Sequence, residues 1–248
     1  MDMKFKHGLA SILIAAVYFM APETVNAQGK ILYGFDMGFT INSFDKKNAP
    51  FPAPDLVQDF KKASRVSLEF GGTVEYAITQ ALTVSSGLRY VEKGGSYKTK
   101  NPNYIYTSQS SGDRDAYNYL RYRLVYVEVP VLIKLNVYKI FGIEAEESRV
   151  NLYGGISGML NIGSKFRYNV FEGTSDVEES WESEKIDAAE KFVTGWIAGA
   201  EWKGGPFLLY ARYAKSISEV YDTTQPGYET FDVSMSTISI GMGFVLSK

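Results

Sequence analysis

Residues 65–78 read RVSLEFGGTVEYAI and alternate without a break. Val66, Leu68, Phe70, Val74, Tyr76 and Ile78 are apolar, with Gly72 the one gap in their row, and Arg65, Ser67, Glu69, Thr73 and Glu75 stand between them. Period-two alternation marks a β-strand whose two faces meet different surroundings. The fold turns on which face meets solvent. If the apolar face points inward, the strand belongs to a soluble sandwich or barrel. If it points outward, the solvent is lipid.

The same period recurs along the chain, and helical periodicity of useful length does not. Residues 30–42 set Tyr33, Phe35, Met37, Phe39 and Ile41 against Gly34, Asp36, Gly38, Thr40 and Asn42. Residues 82–93 set Leu82, Val84, Leu88 and Tyr90 against Thr83, Ser85, Gly87 and Arg89. Residues 149–168 set Val150, Leu152, Ile156, Leu160 and Ile162 against Asn151, Ser157, Asn161, Lys165 and Arg167. Three more runs follow. Residues 191–202 carry Phe192, Trp196 and Trp202; residues 206–216 oppose Phe207, Leu209 and Tyr213 to Arg212; residues 236–246 oppose Ile238, Ile240, Met242, Phe244 and Leu246 to Ser239, Gly241 and Gly243.

One run breaks its own phase. In residues 120–135, LRYRLVYVEVPVLIKL, the apolar residues Leu120, Tyr122, Leu124 and Tyr126 hold one parity, and Val127, Val129, Val131, Ile133 and Leu135 hold the other. An extra residue within 125–130 would produce that slip, and Pro130 suits a bulge. It would turn Arg121, Arg123, Glu128 and Lys134 to one side, with Glu128 inward against Arg89 or Arg212. The alternative is that Leu120 to Leu124 rises above the membrane, where parity no longer matters.

Eight strands result, with unequal connections. Turns near Thr79-Gln80 and at Gly204-Gly205 are short, and residues 136–148 form a medium connection. The stretches 43–64, 94–118, 171–190 and 216–231 read as long polar loops. Short turns at one end and long loops at the other are the habit of a transmembrane barrel. An eight-stranded barrel has room inside only for side chains that fill it. Tyr33, Phe35, Phe39, Phe70, Tyr76, Tyr90, Tyr126, Trp196, Trp202, Phe207 and Phe244 are too bulky to share that space. The opposite set is rich in Gly, Ser and Thr, and its Glu69, Glu75, Glu128 and Glu201 can pair with Arg89, Lys134 and Arg212 in a narrow polar lumen. The expected fold is therefore an all-β, eight-stranded antiparallel up-and-down transmembrane β-barrel. Tyr33, Tyr76, Tyr90, Phe192, Trp202 and Phe207, near strand ends, would form its interfacial girdles.

The first 27 residues read as a signal peptide: Lys4 and Lys6, the uncharged apolar run Leu9 to Met20, then Val25-Asn26-Ala27. The barrel domain would be residues 28–248. Removing the signal takes away two bases and two acids and leaves the net charge at −2, which gives no field for nucleic acid. The chain has no Cys, and its single His is His7. The mature protein therefore lacks imidazole and thiol chemistry. No catalytic residue, metal site or cofactor is expected.

Three stretches resemble the PorT-like outer-membrane β-barrel family of Gram-negative bacteria: GLRYVEKGG at 87–95, LVYVEVPVLIKL at 124–135 and YGGISG at 153–158. Tyr90, Lys93 and Gly94 match its Tyr-x-x-Lys-Gly strand end, and Tyr126, Glu128, Pro130 and Lys134 match its Tyr-x-Glu-x-Pro stretch with the following Lys. The last strand looks like the assembly signal read by the outer-membrane insertion machinery, here Ser239, Gly241, Phe244 and Leu246. The resemblance implies an outer-membrane location among lipid and lipopolysaccharide. It also implies a structural or partner-binding role, linked to protein secretion in some relatives. A narrow conduit for a small solute is the alternative. Paired lumen charges of both signs favour the first. A protein partner would meet the long loops. The acidic stretch 171–190 could bind divalent cations that bridge lipopolysaccharide, or be an ordinary solvated loop.

An outward apolar face on every strand predicts that the protein fractionates with the outer membrane and migrates differently in gels when boiled and unboiled in detergent. Recovery as a detergent-free periplasmic monomer would contradict the orientation.

Overall fold

A computed structural model describes residues 31–45, 61–108, 112–143, 148–169, 182–224 and 233–247. The signal segment and residues 170–181 of the acidic stretch lie outside the described residues. The strands are β1 (Ile31–Phe44), β2 (Lys61–Ala63), β3 (Arg65–Ala77), β4 (Leu82–Ser108), β5 (Gly112–Asn136), β6 (Ser148–Asn169), β7 (Glu182–Lys185), β8 (Phe192–Gly204), β9 (Phe207–Ser216) and β10 (Met235–Ser247). One helical turn, α1 (Val137–Ile140), follows β5.

Eight of these strands pair antiparallel in the ring β1-β3-β4-β5-β6-β8-β9-β10. The ring closes where β10 meets β1, in unbroken register from Leu32 opposite Ser247 to Phe44 opposite Met235. The expected all-β antiparallel barrel is the observed one. The two short strands lie outside the ring: β2 pairs with β4 and β7 with β6, both at the long-loop end.

Alternation decides direction along each strand. In β3, Val66, Leu68, Phe70, Val74 and Tyr76 are exposed, while Ser67, Glu69, Thr73 and Glu75 are buried inside the ring. The same holds for Phe35, Phe39, Leu160, Trp196, Phe207 and Phe244, which face out. Phe70 and Tyr90, cross-strand partners, stack on this outer face with ring centroids 4.9 Å apart.

The short-turn end is tight. In the β3–β4 turn, Thr79 Oγ1 accepts hydrogen bonds from the amides of Ala81 and Leu82. The β8–β9 turn falls one residue later than expected. Gly204 is still in the ladder opposite Phe207, and the two loop residues are Gly205 and Pro206. Gly205 has φ +57°, and the ring of Pro206 fixes the negative φ that follows, the sign pattern of a II′ hairpin turn.

The long-loop end corrects the reading in three places. The stretch 94–118 is not a loop: β4 and β5 run on through it as a hairpin to Ser108 and Gly112. At 27 residues, β4 is far longer than the 14 of β1. Secondly, β5 carries no bulge toward β4, and its pairing there is regular from Leu120 to Leu135. Its inward row runs unbroken through Leu120, Tyr122, Leu124, Tyr126, Glu128, Pro130, Leu132 and Lys134. Arg121 and Arg123 therefore point outward, away from Glu128 and Lys134. The apolar phase changes because the filling of the lumen changes, not because the strand turns over. Leu120 to Leu124 belong to the part that rises toward the loops, which was the alternative reading. Tyr126, assigned to the lipid face, is fully buried inside.

The extra residue exists, but on the neighbouring strand. Val125 opposes Gly163 and Tyr126 opposes Asn161, so Ile162 of β6 is unmatched. Beyond it the faces of β6 exchange. Phe166 is buried inside, and Lys165 and Arg167, expected in the lumen, are exposed on the outer face.

Val74 lies on the exposed face of β3, opposite Tyr33 and Ser86. Replacing it with Arg should lower stability by about 2–4 kcal/mol if it sits near the bilayer midplane. Denaturant unfolding in lipid vesicles measures this, and a neutral result would contradict a lipid-facing position.

Candidate functional site

The lumen has two levels. The lower, toward the short turns, is charged. Among the described residues its buried charged side chains are Asp36, Glu69, Glu75, Glu128 and Glu201, against Arg89, Lys93, Lys134, Lys203 and Arg212: five acids and five bases. Inward-facing alternation on β1, β3, β4, β5, β8 and β9 brings them together from across the ring.

Nearest the short turns is a closed cycle of four. Lys134 Nζ is 2.7 Å from Glu75 and 2.6 Å from Glu201. Lys203 Nζ is 2.5 Å from Glu75 and 3.0 Å from Glu201. Each ammonium pairs with two carboxylates and each carboxylate with two ammonium groups. Asn151 Nδ2 donates a further bond to Glu201 at 2.8 Å.

Above it the remaining six form a chain. Arg212 lies 3.4 Å from Glu69 and 3.3 Å from Asp36. Arg89 lies 3.8 Å from Asp36 and 4.0 Å from Glu128, and Lys93 donates to Glu128 at 3.1 Å. The Arg89 contacts are electrostatic rather than hydrogen-bonded at those lengths. Tyr210 supports the chain from the wall. Its hydroxyl donates to Glu69 at 2.8 Å, and its ring centroid lies 4.0 Å from the Arg212 guanidinium carbon. The ring fits because its neighbours have no side chain. A Cβ on Gly38 or Gly241, which are cross-strand partners, would stand 2.4 or 2.3 Å from the Tyr210 hydroxyl.

The upper level is apolar. Phe44, Tyr97, Leu120, Tyr122, Leu124, Tyr126, Met159 and Phe166 pack there with Ile186, Val220, Tyr221 and Val233 from the connecting segments. Phe44 meets Tyr122 edge-on at 5.6 Å and Tyr221 at 6.0 Å. These aromatics sit inside after all, above the charges and beneath the loops.

Of the residues expected in the lumen, Glu69, Glu75, Arg89, Glu128, Lys134, Glu201 and Arg212 lie in this interior, whereas Arg121, Arg123, Lys165 and Arg167 do not. Glu128 meets Arg89, as anticipated, but its closer partner is Lys93. Sequence reasoning missed Asp36, Lys93 and Lys203 as members. Parity already placed Asp36 and Lys93 on the polar face. Lys203 was lost because the strand was ended at Trp202. Of the assembly-signal residues, Ser239 is inward and donates to Glu69 at 3.1 Å, while Phe244 and Leu246 are exposed. Chemically the arrangement is a neutral, cross-linked filling. Among the described residues, each lumen carboxylate faces a cation.

The sequence matches a family described as "Outer membrane protein beta-barrel domain" over residues 26–222. Among solved structures it is similar to OprG of Pseudomonas aeruginosa, at 9% identity and TM-score 0.41, over 91% of this chain and 100% of that one. Ail, the attachment invasion locus protein of Yersinia pestis, is 11% identical at TM-score 0.39, over 88% and 99%. Neisserial surface protein A is 12% identical at TM-score 0.39, over 86% and 96%. No curated protein matches the chain.

Replacing Lys134 with Met should destabilise the barrel by about 3–5 kcal/mol, because Glu75 and Glu201 would then share one cation in the interior. Adding Glu201→Gln should recover part of that loss. A double-mutant cycle measured by unfolding in detergent checks the coupling, and additive effects would show that the cycle of four is not a unit.

Proposed function

Because the chain belongs to the outer membrane protein β-barrel domain family, we propose that it is a non-conducting anchor in the outer membrane that presents its long hairpin and loops to a protein partner. One observation carries this reading: five acids and five bases pair across the lower lumen, and an apolar cap closes the space above them. Paired, buried charges fix strands, whereas a path for ions needs charges that water or solute can reach. The hairpin β4–β5, with strands of 27 and 25 residues against 13 for β3 beside it, supports the partner half of the reading.

Export through a signal peptide at residues 1–27 belongs to the same proposal. So does the narrower PorT-like likeness, with a place in protein secretion as its consequence. An enzymatic role is not proposed: with no His beyond His7 and no Cys, acid–base and nucleophilic work would fall to carboxylates, Lys, Tyr or Ser, and the described lumen carboxylates are paired. Planar-bilayer recording distinguishes the readings. The anchor should give no discrete conductance steps, and deletion of the hairpin tip should abolish capture of the partner while leaving unboiled gel mobility unchanged. Regular conductance steps that change with Lys203→Ala would favour the conduit for a small solute or ion.

A further inference from the structure

The chain of six in the lumen is not bonded like the cycle of four beneath it. Contacts within the cycle run from 2.5 to 3.0 Å. Those of Arg89 are 3.8 Å to Asp36 and 4.0 Å to Glu128, and neither is a hydrogen bond at that length. Nε and Nη1 of Arg89 have no hydrogen-bond partner among the described residues, and neither do Nε and Nη1 of Arg212. Both arginines lie inside the ring, 4% and 5% exposed. Nε carries one N–H and Nη1 carries two, so three N–H groups of each guanidinium are left over. A buried donor without a partner is costly, and native interiors pair nearly all of them.

The acceptors around the two arginines are already held elsewhere. Asp36 Oδ1 accepts from Arg212 Nη2 at 3.3 Å. Glu69 accepts from Tyr210 at 2.8 Å and from Ser239 at 3.1 Å. Glu128 gives Oε1 to Lys93 at 3.1 Å. Register fixes the rest. Asp36, Gly71, Arg89 and Glu128 are successive cross-strand partners on β1, β3, β4 and β5. The Arg89 stem lies across Gly71, where a Cβ would stand 2.5 Å from Arg89 Cγ. The guanidinium is therefore held by its stem, short of both carboxylates. The oxygens that face it, Asp36 Oδ2 and Glu128 Oε2, are acceptors just out of its reach.

A polar separation beyond 3.5 Å is the span that a water bridges. A water about 2.9 Å from each end accepts from the guanidinium and donates to the carboxylate. Charge selects water over an ion. The chain sets three acids, Asp36, Glu69 and Glu128, against three bases, Arg89, Lys93 and Arg212. An added anion would meet the Asp36 and Glu128 carboxylates, and an added cation would meet two guanidinium groups. Only a neutral molecule that both accepts and donates suits both sides. The place is also enclosed. The cycle of four lies below it. Above it, Lys93 Nζ contacts Met159 Sδ at 3.1 Å, and Met159 belongs to the apolar cap.

We propose that the middle of the lumen is a binding site for water, in which enclosed waters bridge Arg89 to Asp36 and Glu128 and take the remaining N–H groups of Arg212. These waters are part of the filling of the barrel and not of a path through it. They complete the solvation of two guanidinium groups that the strands hold too far from their carboxylates.

Two measurements test this. The first is a crystal structure of the folded protein in detergent, soaked in bromide. Water oxygens should lie within hydrogen-bond distance of Arg89 Nε or Nη1 and of Asp36 or Glu128, with no bromide among them. Direct carboxylate hydrogen bonds to Nε and Nη1 of both arginines would overturn the proposal, because the network would then be dry. Bromide between the arginines would overturn it as well, because the site would then be one for an anion. The second measurement counts long-lived waters in solution by oxygen-17 relaxation dispersion, with the protein in lipid nanodiscs. Arg89→Met should lower the count while unboiled gel mobility is kept. Arg123→Met, an equal loss of charge on the outer face, should leave the count as it is. An unchanged count in Arg89→Met, or as large a loss in Arg123→Met, would overturn the proposal. The crystal measurement needs no variant and decides the matter even where Arg89→Met fails to fold.

Discussion

Hydrocarbon offers no partner to a backbone N–H or C=O, so a sheet that crosses it must leave no edge. The register between β1 and β10 is where that condition is met. Closing the ring at eight strands then sets the width of the interior. Each inward residue is judged by what stands across from it. Gly38 and Gly241 leave space that the Tyr210 ring fills, and the hydroxyl of Tyr210 reaches Glu69 on the far side. Charges so enclosed must cancel locally, because an unpaired one in so narrow a space costs several kcal/mol. Neutrality of the lumen follows from closure rather than standing beside it.

The direction of β3 was legible in fourteen residues because two physical demands agree there. Lipid selects Val66, Leu68, Phe70, Val74 and Tyr76 on one side, and a narrow polar interior selects Ser67, Glu69, Thr73 and Glu75 on the other. In β5 the demands no longer oppose each other. Its lower half meets charges inside, and its upper half meets Phe44, Tyr97 and Phe166. Apolar residues there report the interior, and reading them as lipid-facing produced a bulge in the wrong strand. The real one, at Ile162, left no signature in composition: Lys165 and Arg167 are as reasonable in a polar lumen as on an outer face.

Membership of the charged cluster was legible from parity, but pairing was not. Lys203 and Glu75 are in contact although 128 residues apart, and both strands reach the cycle of four only through the closed ring. Pairing depends on shear and height around the barrel, which no single strand encodes. The hairpin escaped for a related reason. Tyr, Asn, Ser and Lys in residues 96–119 suit an exposed loop and a strand pair standing above the bilayer equally well, because in water neither face must be apolar.

The two sides of the same wall now separate in kind. Inside, among the described residues, five carboxylates face five cations. Outside, at the height where β4, β5 and β6 leave the belt, cations stand opposite cations, with Glu92 shared between Arg65 and Arg123. A single bulge links the two states. Had β6 kept its phase past Ile162, Lys165 and Arg167 would have entered the lumen and left two uncompensated charges beneath the aromatic cap, while Phe166 would have faced out. The extra residue moves both bases to the surface and brings Phe166 against Tyr122 at 5.2 Å. Bulges at barrel rims re-aim side chains in this way. The bulge thus keeps two bases out of an interior whose charges already pair, and it fills the space beneath the loops with an aromatic ring instead.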